Sequence, residues 1–237
     1  SQYFQRFISN VGSRAAQAGF NKNDLGAAQI PLVDKERQEE ICEVLEKANK
    51  LISLRKQQLA KLDELVKVRF VEMFGDPVSN PLHWKKVKLS ELADIKIGPF
   101  GSLLHKEDYV TGGHPLVNPS HIVDNDLTLT EGKYFELSAY HLKKNDVVLG
   151  RRGEMGRCAV VDEEGLLCGT GSLLIRTNGT VTEDYIQKII SFPTFKKTIE
   201  DMAVGQTMPN LNVPIVSNFM IIVPPLSVQK DYYDFVE

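Results

Sequence analysis

The sequence predicts an α+β protein in which a globular domain of short strands and helices is joined to a long coiled-coil helix. Three observations predict this fold class. One long segment lacks Gly and Pro, many short apolar segments are bounded by turn residues, and amphipathic segments gather late in the chain. At 237 residues the chain has room for one large or two modest domains.

The long helix is predicted between Asp34 and Gly75. Asp34 is a suitable N-cap, and Glu36 lies in the first turn, beside the positive end of the helix dipole. Gly75 followed by Pro77 is a stop signal. Apolar residues recur at intervals of seven within this segment, at Leu45, Ile52, Leu59, Val66 and Met73.

This heptad pattern predicts a coiled-coil interface along the helix. An ordinary buried helix is the alternative. We find no second segment of this kind in the sequence, so the partner helix is expected from another chain or from a segment outside this one.

The globular part is predicted to span residues 82–226. Two strands around a short helix are expected between Trp84 and Ile97. Further short strands are predicted at 115–118, 146–150, 157–161, 172–177 and 219–223, and amphipathic helices at 183–192 and 194–204. The segments 157–161 and 172–177 are expected to pair with each other.

The two ends of the chain resemble each other. Residues 1–46 align without gaps on residues 192–237 after a shift of 191 positions, with six identities that include Phe4 with Phe195 and Gln38 with Gln229. Both segments predict a helix anchored by an aromatic residue, a polar stretch with Asn, an apolar strand and a Gln that opens a new helix. The chain is therefore expected to hold one repeat unit of 191 residues and 46 residues of a neighbouring unit.

Composition and motifs disfavour several classes of function. The net charge of −3 argues against a protein that coats nucleic acid by charge alone, although a specific reader can gather its basic groups on one face. No apolar run approaches the ~18 residues of a membrane span, so neither a membrane partner nor an export signal is expected. We find no phosphate-binding loop, no HExxH and no serine elbow, so no catalytic residue is assigned.

The cysteines and histidines predict no metal site. Cys42, Cys158 and Cys168 lack the spacing of zinc ligands, and the five histidines are scattered. Buried or idle thiols in a reducing cytosol are the expected explanation. No cofactor is predicted.

Four segments carry a resemblance to a known family. They are IPLVDKERQEEICEVLEKANKLI (30–52), IGPFGSLLHKEDYVTGGHPLVNPSHI (97–122), LKKNDVVLGRRGEMGRCAVV (142–161) and VGQTMPNLNVPIVSNFMIIVPPLSVQ (204–229). They resemble the junctions and the target-recognition domain of DNA specificity subunits in type I restriction–modification systems.

The resemblance implies two target-recognition domains held apart by two long antiparallel helices. Each domain would read half of a split site in double-stranded DNA, and the helices would dock two methyltransferase subunits, with restriction and translocase subunits joining for cleavage. It implies that 1–33 is the tail of a first domain, 34–75 a conserved spacer helix, 76–226 a second domain and 227–237 the start of a second helix. Whether the chain is a fragment, or a half-subunit that self-associates through the long helix, stays open. A bacterial or archaeal cytoplasm is the expected location.

The segment GRRGEMGR is the leading candidate for DNA contact. It places Arg151, Arg152 and Arg157 among three glycines. Arginine can read guanine with two hydrogen bonds or clamp a phosphate. A charged hairpin turn with solvated arginines is the alternative.

Three further loops supply candidate DNA-binding residues. In GPFGS and after it, Gly98, Gly101 and Ser102 offer backbone N–H groups to a phosphate, and Lys106 offers charge; a plain turn that buries Phe100 is the alternative. The remaining candidates are Asn118, Ser120 and His121, and Gln206, Thr207 and Asn210, whose amides and hydroxyls suit DNA. Turn and capping chemistry is the alternative for both groups.

Three hypotheses follow for function. The first is a sequence-specific DNA-binding subunit that directs a methyltransferase and a nuclease, and is not itself an enzyme. The second is a coiled-coil scaffold for protein interactions that does not bind DNA. The third is a recognition part of a fused methyltransferase–nuclease, which predicts a methyl-donor site upstream in a longer gene.

Overall fold

The structure, a computed structural model, describes residues 4–7, 9, 22–29, 32–99, 107, 113–129, 134–135, 138–203 and 210–236. The contacts between residues divide the chain into two compact units, Ser1–Leu62 and Asp63–Glu237. Among the described residues, no helix has an apolar stretch long enough to cross a membrane.

The first unit contains a short helix, α1 (Lys22–Gly26), and most of the long helix α2 (Lys35–Phe74). The predicted cap of α2 is confirmed, because the backbone N–H of Arg37 donates to Asp34 Oδ1 at 2.8 Å. The predicted end is confirmed as well. Gly75 follows with φ +77°, a left-handed conformation that glycine adopts without steric cost.

The heptad residues of α2 fall into two groups. Leu45, Ile52 and Leu59 are each more than half exposed. Val66 and Met73 are partly buried and pack against the core of the second unit, to which the last turns of α2 belong. The last two heptad residues therefore pack against the domain core, and the first three are exposed to solvent.

The second unit follows the predicted order of elements. It contains β1 (Lys85–Lys88), α3 (Leu89–Leu92), β2 (Ala93–Ile97), β3 (His114–Val117), β4 (Ile122–Val123), β5 (Asp126–Leu127), β6 (Tyr134–Phe135), β7 (Val147–Gly150), β8 (Cys158–Val160), β9 (Leu167–Cys168) and β10 (Ser172–Thr177). They are followed by α4 (Glu183–Ser191), α5 (Pro193–Ala203), α6 (Val213–Ser217), β11 (Met220–Val223) and α7 (Leu226–Val236). The α+β class is confirmed.

A four-stranded antiparallel sheet, in the order β2-β10-β7-β8, forms the centre of the unit. The expected pairing of 157–161 with 172–177 was wrong, because β7 lies between β8 and β10 and pairs with both. All four residues of β7 are buried, and this fully apolar strand takes an inner position. Smaller sheets, β1-β11, β6-β3-β9 and β4-β5, surround it.

The amphipathic helix α4 and the end of α2 cover the core. Thr182 caps α4, and the helix buries Tyr185 together with three isoleucines. Phe70 and Phe74 of α2 are fully buried, and both rings contact Tyr185 and Tyr232. These aromatic contacts join α2, α4 and α7 in one cluster.

The helices α2 and α7 contact each other near their domain ends. Tyr232 of α7 contacts Phe70 and Phe74, whereas Phe235 lies 5.4 Å from the guanidinium of Arg69. The helix α7 therefore packs against the last turns of α2.

The positions of two pairs of helices agree with the predicted internal repeat. A shift of 191 carries α1 (Lys22–Gly26) onto α6 (Val213–Ser217), since 22 + 191 = 213 and 26 + 191 = 217. The same shift carries Lys35, the start of α2, onto Leu226, the start of α7. The two ends of the chain therefore share local structure as well as six identical residues.

Candidate nucleic-acid interface

The candidate site lies where four strands of the central sheet begin or end. Ile97, the end of β2, pairs with Leu173, and Gly150, the end of β7, pairs with Ser172. Because neighbouring antiparallel strands run in opposite directions, the ends of β2 and β7 lie beside the starts of β8 and β10. We call this place the loop edge; it comprises Gly98 and residues 117–121, 150–157, 169–172 and 210–212.

Close backbone approaches between glycines hold the loop edge together. The N–H of Gly98 donates to Ser172 O at 3.0 Å, and the N–H of Gly169 donates to Val117 O at 2.9 Å. The expectation that the Gly98 N–H is offered to a phosphate was therefore wrong, because this group bonds β10. A Cβ on Gly98 would overlap the carbonyl of Gly169, and a Cβ on Gly169 would overlap that of Val117. Glycine is therefore required at both positions for these strands and loops to meet.

Arg151 is buried and bonded to neighbouring backbone. Its Nε donates to Leu211 O at 2.8 Å, and the N–H of Leu211 donates back to Arg151 O at 3.0 Å. Its Nη1 lies 3.4 Å from Thr170 O, and burial, followed by the nearby Arg152, lowers the pKa of the Arg151 guanidinium. Arg151 thus attaches the segment that precedes α6 to the hairpin between β7 and β8.

Arg152 and Arg157 are more accessible. Arg152 is exposed and makes no hydrogen bond to any residue that the structure describes. The Arg157 side chain is 34% exposed; its Nη1 donates to Pro119 O at 3.3 Å and its Nη2 to Glu154 Oε2 at 2.9 Å. Arg157 therefore has a fixed orientation, whereas the exposed Arg152 has no hydrogen-bond partner among the described residues.

The loop with Asn118, Ser120 and His121 forms a turn of 3-10 helix at the same edge. The N–H of His121 donates to Asn118 O at 2.9 Å, and the N–H of Asn118 donates to His121 Nδ1 at 3.3 Å. These bonds use the backbone of Asn118 and the ring of His121 in turn chemistry. Ser120 is exposed and has no such bond within the part of the chain that the structure describes.

The fourth group of candidates is only partly described. Asn210 is half-buried at the loop edge, and its Oδ1 finds no hydrogen-bond partner among the described residues. The neighbouring Asn212 caps α6 by accepting from the N–H of Ile215 at 2.9 Å. Gly101, Ser102, Lys106, Gln206 and Thr207 lie outside the described residues.

Two charged residues that sequence reasoning missed also lie here. Glu154 Oε1 accepts from Lys196 Nζ of α5 at 3.1 Å, while Oε2 accepts from Arg157. These hydrogen bonds, that to Arg157 first, hold the pKa of Glu154 below its usual range. Glu154 stands within the GRRGEMGR segment, but the role of Lys196 depends on tertiary packing that no local pattern encodes.

Lys196 is brought to the hairpin by Gly156. This residue has φ +74°, and a Cβ there would lie 2.6 Å from Lys196 Cγ and 2.8 Å from Ile190 O. The glycine thus allows α4 and α5 to approach the hairpin closely.

No group of three or more potential metal ligands occurs among the described residues.

A family model, the type I restriction modification DNA specificity domain, matches residues 81–237. This range contains every described candidate residue of the loop edge.

Individual relatives agree with this match. The type I restriction enzyme MjaVIII specificity subunit from Methanocaldococcus jannaschii is 24% identical, over 85% of this chain and 53% of that protein. Similar folds occur in the HsdS subunit from Thermoanaerobacter tengcongensis, at a TM-score of 0.59 and 20% identity, and in the S subunit of a type I system from M. genitalium, at 0.62 and 16%.

These structural matches cover 98% and 99% of this chain, but 59% and 62% of the solved chains. The chain thus spans about half the length of the curated relative and about three fifths of the solved ones. The family match covers more than half of the present sequence. The chain belongs to the type I restriction modification DNA specificity domain family.

Proposed function

We propose that this chain recognises a sequence in double-stranded DNA for a type I restriction–modification complex, without catalysing a reaction itself. The observation that carries the proposal is the convergence at the loop edge of loops far apart in sequence. Arg151 joins the hairpin to Leu211, and Arg157 joins it to Pro119. Arg152 is exposed on this framework, and loops on a rigid scaffold are where recognition residues concentrate.

The proposed contacts divide by accessibility. Arg152 and Ser120 are assigned to direct contact with DNA, together with Gly101, Ser102, Lys106, Gln206 and Thr207, which lie outside the described residues. Arg151, Asn118 and His121 are assigned to shaping the loops, since described bonds use the side chains of Arg151 and His121 and the backbone of Asn118. Arg157 and Asn210 are partly buried, so they are assigned neither to direct DNA contact alone nor to shaping the loops alone.

The proposed domain organisation follows the repeat. Residues 1–33 are the tail of one recognition domain, 34–75 the spacer helix, 76–226 a second domain and 227–237 the start of a second helix. The packing of α7 against the last turns of α2 supports this plan. Two recognition domains would then read two halves of a split site, with the helices setting the gap.

The proposed partners are two methyltransferase subunits and the restriction and translocase subunits, in a bacterial or archaeal cytoplasm. The methyltransferases would reach their target bases by flipping them out of the stack. Self-association through the exposed part of α2 is the alternative to a partner helix within a longer chain.

Co-purification with the methyltransferase encoded beside this gene tests the proposal, together with sequencing of methylated bases in the host. We expect one split methylated motif, which disappears when the gene is deleted and returns with the intact gene. A host whose methylation is unchanged by the deletion, and a methyltransferase that does not bind the chain, would contradict the proposal.

A coiled-coil scaffold is the second candidate. The exposed apolar residues Leu45, Ile52 and Leu59 on a chain of net charge −3 favour it. The scaffold predicts protein binding that depends on these three residues, and no DNA binding at any salt concentration.

A further inference from the structure

The loop edge carries one negative charge among its cations. Glu154 lies in the hairpin between β7 and β8, and each of its carboxylate oxygens bonds a different cation, Arg157 at 2.9 Å and Lys196 at 3.1 Å. The two cations come from different elements, the hairpin and α5. One carboxylate therefore connects the hairpin to a helix 42 positions away in sequence.

A carboxylate at this place opposes non-selective DNA binding. Arg152, Arg157 and Lys196 would together present three positive charges, and Glu154 reduces their sum to two. Non-specific affinity depends on the number of phosphates that a protein neutralises. A phosphate that approaches Arg157 or Lys196 must also approach Glu154, which repels it.

The ion pairs add little to the stability of the fold. The Glu154 side chain is 55% exposed, and exposed pairs contribute little because solvent screens them. Arg157 is also held by Pro119 O, and Gly156 allows the close approach of α5 independently of Glu154. Stabilisation of the fold therefore does not account for a carboxylate at position 154.

We propose that Glu154 is a specificity-determining residue that withholds Arg157 and Lys196 from phosphates of non-target DNA. Specificity is a ratio of affinities, so a group that weakens binding to wrong sequences raises it as effectively as a new favourable contact. This inference rests on the proposed DNA-binding function.

The test compares Glu154→Gln with Glu163→Gln in the full chain. Both changes remove one negative charge and keep the size of the side chain. Glu163 is exposed in the turn after β8. Because β8 begins at the loop edge and runs away from it, Glu163 follows the end of the strand that is remote from the loop edge. Binding to a mixed-sequence DNA duplex is measured by fluorescence anisotropy over a series of salt concentrations.

We expect Glu154→Gln to bind the mixed-sequence duplex about five- to tenfold more tightly near 0.1 M salt. The slope of log K against log salt should steepen by about 0.9, the value for one more neutralised phosphate. Glu163→Gln should match the wild type. Glu154→Asp retains the charge and should bind the mixed-sequence duplex as weakly as the wild type. The double variant with Glu154→Gln and Lys196→Gln should lose the increase in affinity that Glu154→Gln alone produces.

The outcomes separate this inference from the proposed function. If the wild-type chain binds no DNA even at low salt, the proposed function fails and takes this inference with it. If the wild type binds and Glu154→Gln equals Glu163→Gln, or binds more weakly than the wild type, only this inference is overturned. Urea unfolding of both variants verifies that they fold; if Glu154→Gln unfolds, Glu154→Ser replaces it in the same comparison.

Discussion

Gln38 and Gln229, which are 191 positions apart, make the same hydrogen bond. Each side-chain Nε2 donates to the carbonyl oxygen five residues earlier, to Val33 O at 2.6 Å and to Pro224 O at 2.9 Å. Gln229 is fully buried, and its Oε1 also accepts from the N–H of Thr182 at 2.9 Å, whereas Gln38 is exposed. The same junction thus occurs in two surroundings.

This difference predicts unequal effects of the same substitution. Gln229→Ala should lower the free energy of unfolding by about 1–3 kcal/mol, because it leaves the buried Pro224 O and the partly buried N–H of Thr182 without their partner. Gln38→Ala should change it by less than about 0.5 kcal/mol, as for most exposed positions. Urea unfolding measures both, and equal effects would contradict the assignment of Gln229 to the domain core.

Arg151 and Arg152 are adjacent but are predicted to differ in role. Arg151→Ala should lower the free energy of unfolding by about 1–3 kcal/mol, since two carbonyl oxygens lose a buried donor. Arg152→Ala should leave unfolding unchanged. It should weaken DNA binding and either reduce the salt slope by about 1 or relax one base preference by about 1–3 kcal/mol.

Urea unfolding and DNA titration of both variants check this pair of predictions. Unchanged affinity and target choice in Arg152→Ala would show that the reading surface has been placed wrongly.

The pair of Asp146 and Arg176 connects the start of β7 to β10. The Asp146 carboxylate is 1% exposed and accepts two hydrogen bonds from Arg176, at 2.7 and 2.6 Å, and one from the N–H of Lys143. Asp146→Ala should lower the free energy of unfolding by about 3 kcal/mol, because it leaves a charge unpaired. Asp94→Ala, which breaks an exposed pair with Lys96, should cost at most about 1 kcal/mol. If urea unfolding gave similar losses of unfolding free energy for the two variants, Asp146 would have to be solvated.

The three cysteines should differ in reactivity. Cys42 is exposed, whereas Cys158 and Cys168 are buried, and burial raises the pKa of each buried thiol to about 12. A thiol reagent should therefore modify one cysteine in the folded chain and all three in denaturant. A Cys42→Ser variant should show no rapid reaction, and a rapid reaction there would refute the burial of the other two.

The same shifts predict how stability depends on pH. Above the unfolded pKa of 9.0, the unfolded chain loses thiol protons that the folded chain retains. The contribution of these thiols is thus fully present below pH 9 and is lost between about pH 9 and about 12. Thermal unfolding at rising pH should show a smaller decline in a Cys158→Ala, Cys168→Ala variant than in the wild type.

Leu59 is 62% exposed on α2. Leu59→Glu should leave the unfolding of the chain unchanged and abolish self-association or binding of a partner helix, since a charge at a heptad position is desolvated in the interface. Gln57→Glu introduces the same charge on the same helix, away from the stripe, and serves as the control. Sedimentation or co-purification measures association; equal behaviour of the two variants would argue against a coiled-coil interface.

Local patterns predicted most elements of the fold. Asp34 and Gly75 marked the ends of α2 because capping and left-handed glycine conformations are properties of a few neighbouring residues. The strand order was not predicted correctly. The pairing of β10 with β2 and β7 joins segments far apart in sequence, and neither hydropathy nor turn residues encode which strand lies between two others.

The candidate site shows the same division. The hairpin of Arg151 and Arg152 was recognisable from its composition, but the two adjacent arginines were equivalent as a pattern. Only the packing of Leu211 against the hairpin separates the buried side chain from the exposed one. Lys196 was missed for the same reason. Its ion pair with Glu154 depends on how α5 packs against the hairpin, and the sequence around either residue does not encode that packing.

The approach of Gly98 to Gly169 has a consequence for engineering this surface. Any larger residue at either position would overlap a backbone carbonyl, so these positions do not tolerate variation. Arg152 and Ser120 are exposed and make no bond to the described residues, so they can change without loss of packing. A library randomised at these two positions, with the glycines retained, would vary the surface chemistry on an unchanged backbone, and new binding preferences could be selected without restabilising the protein.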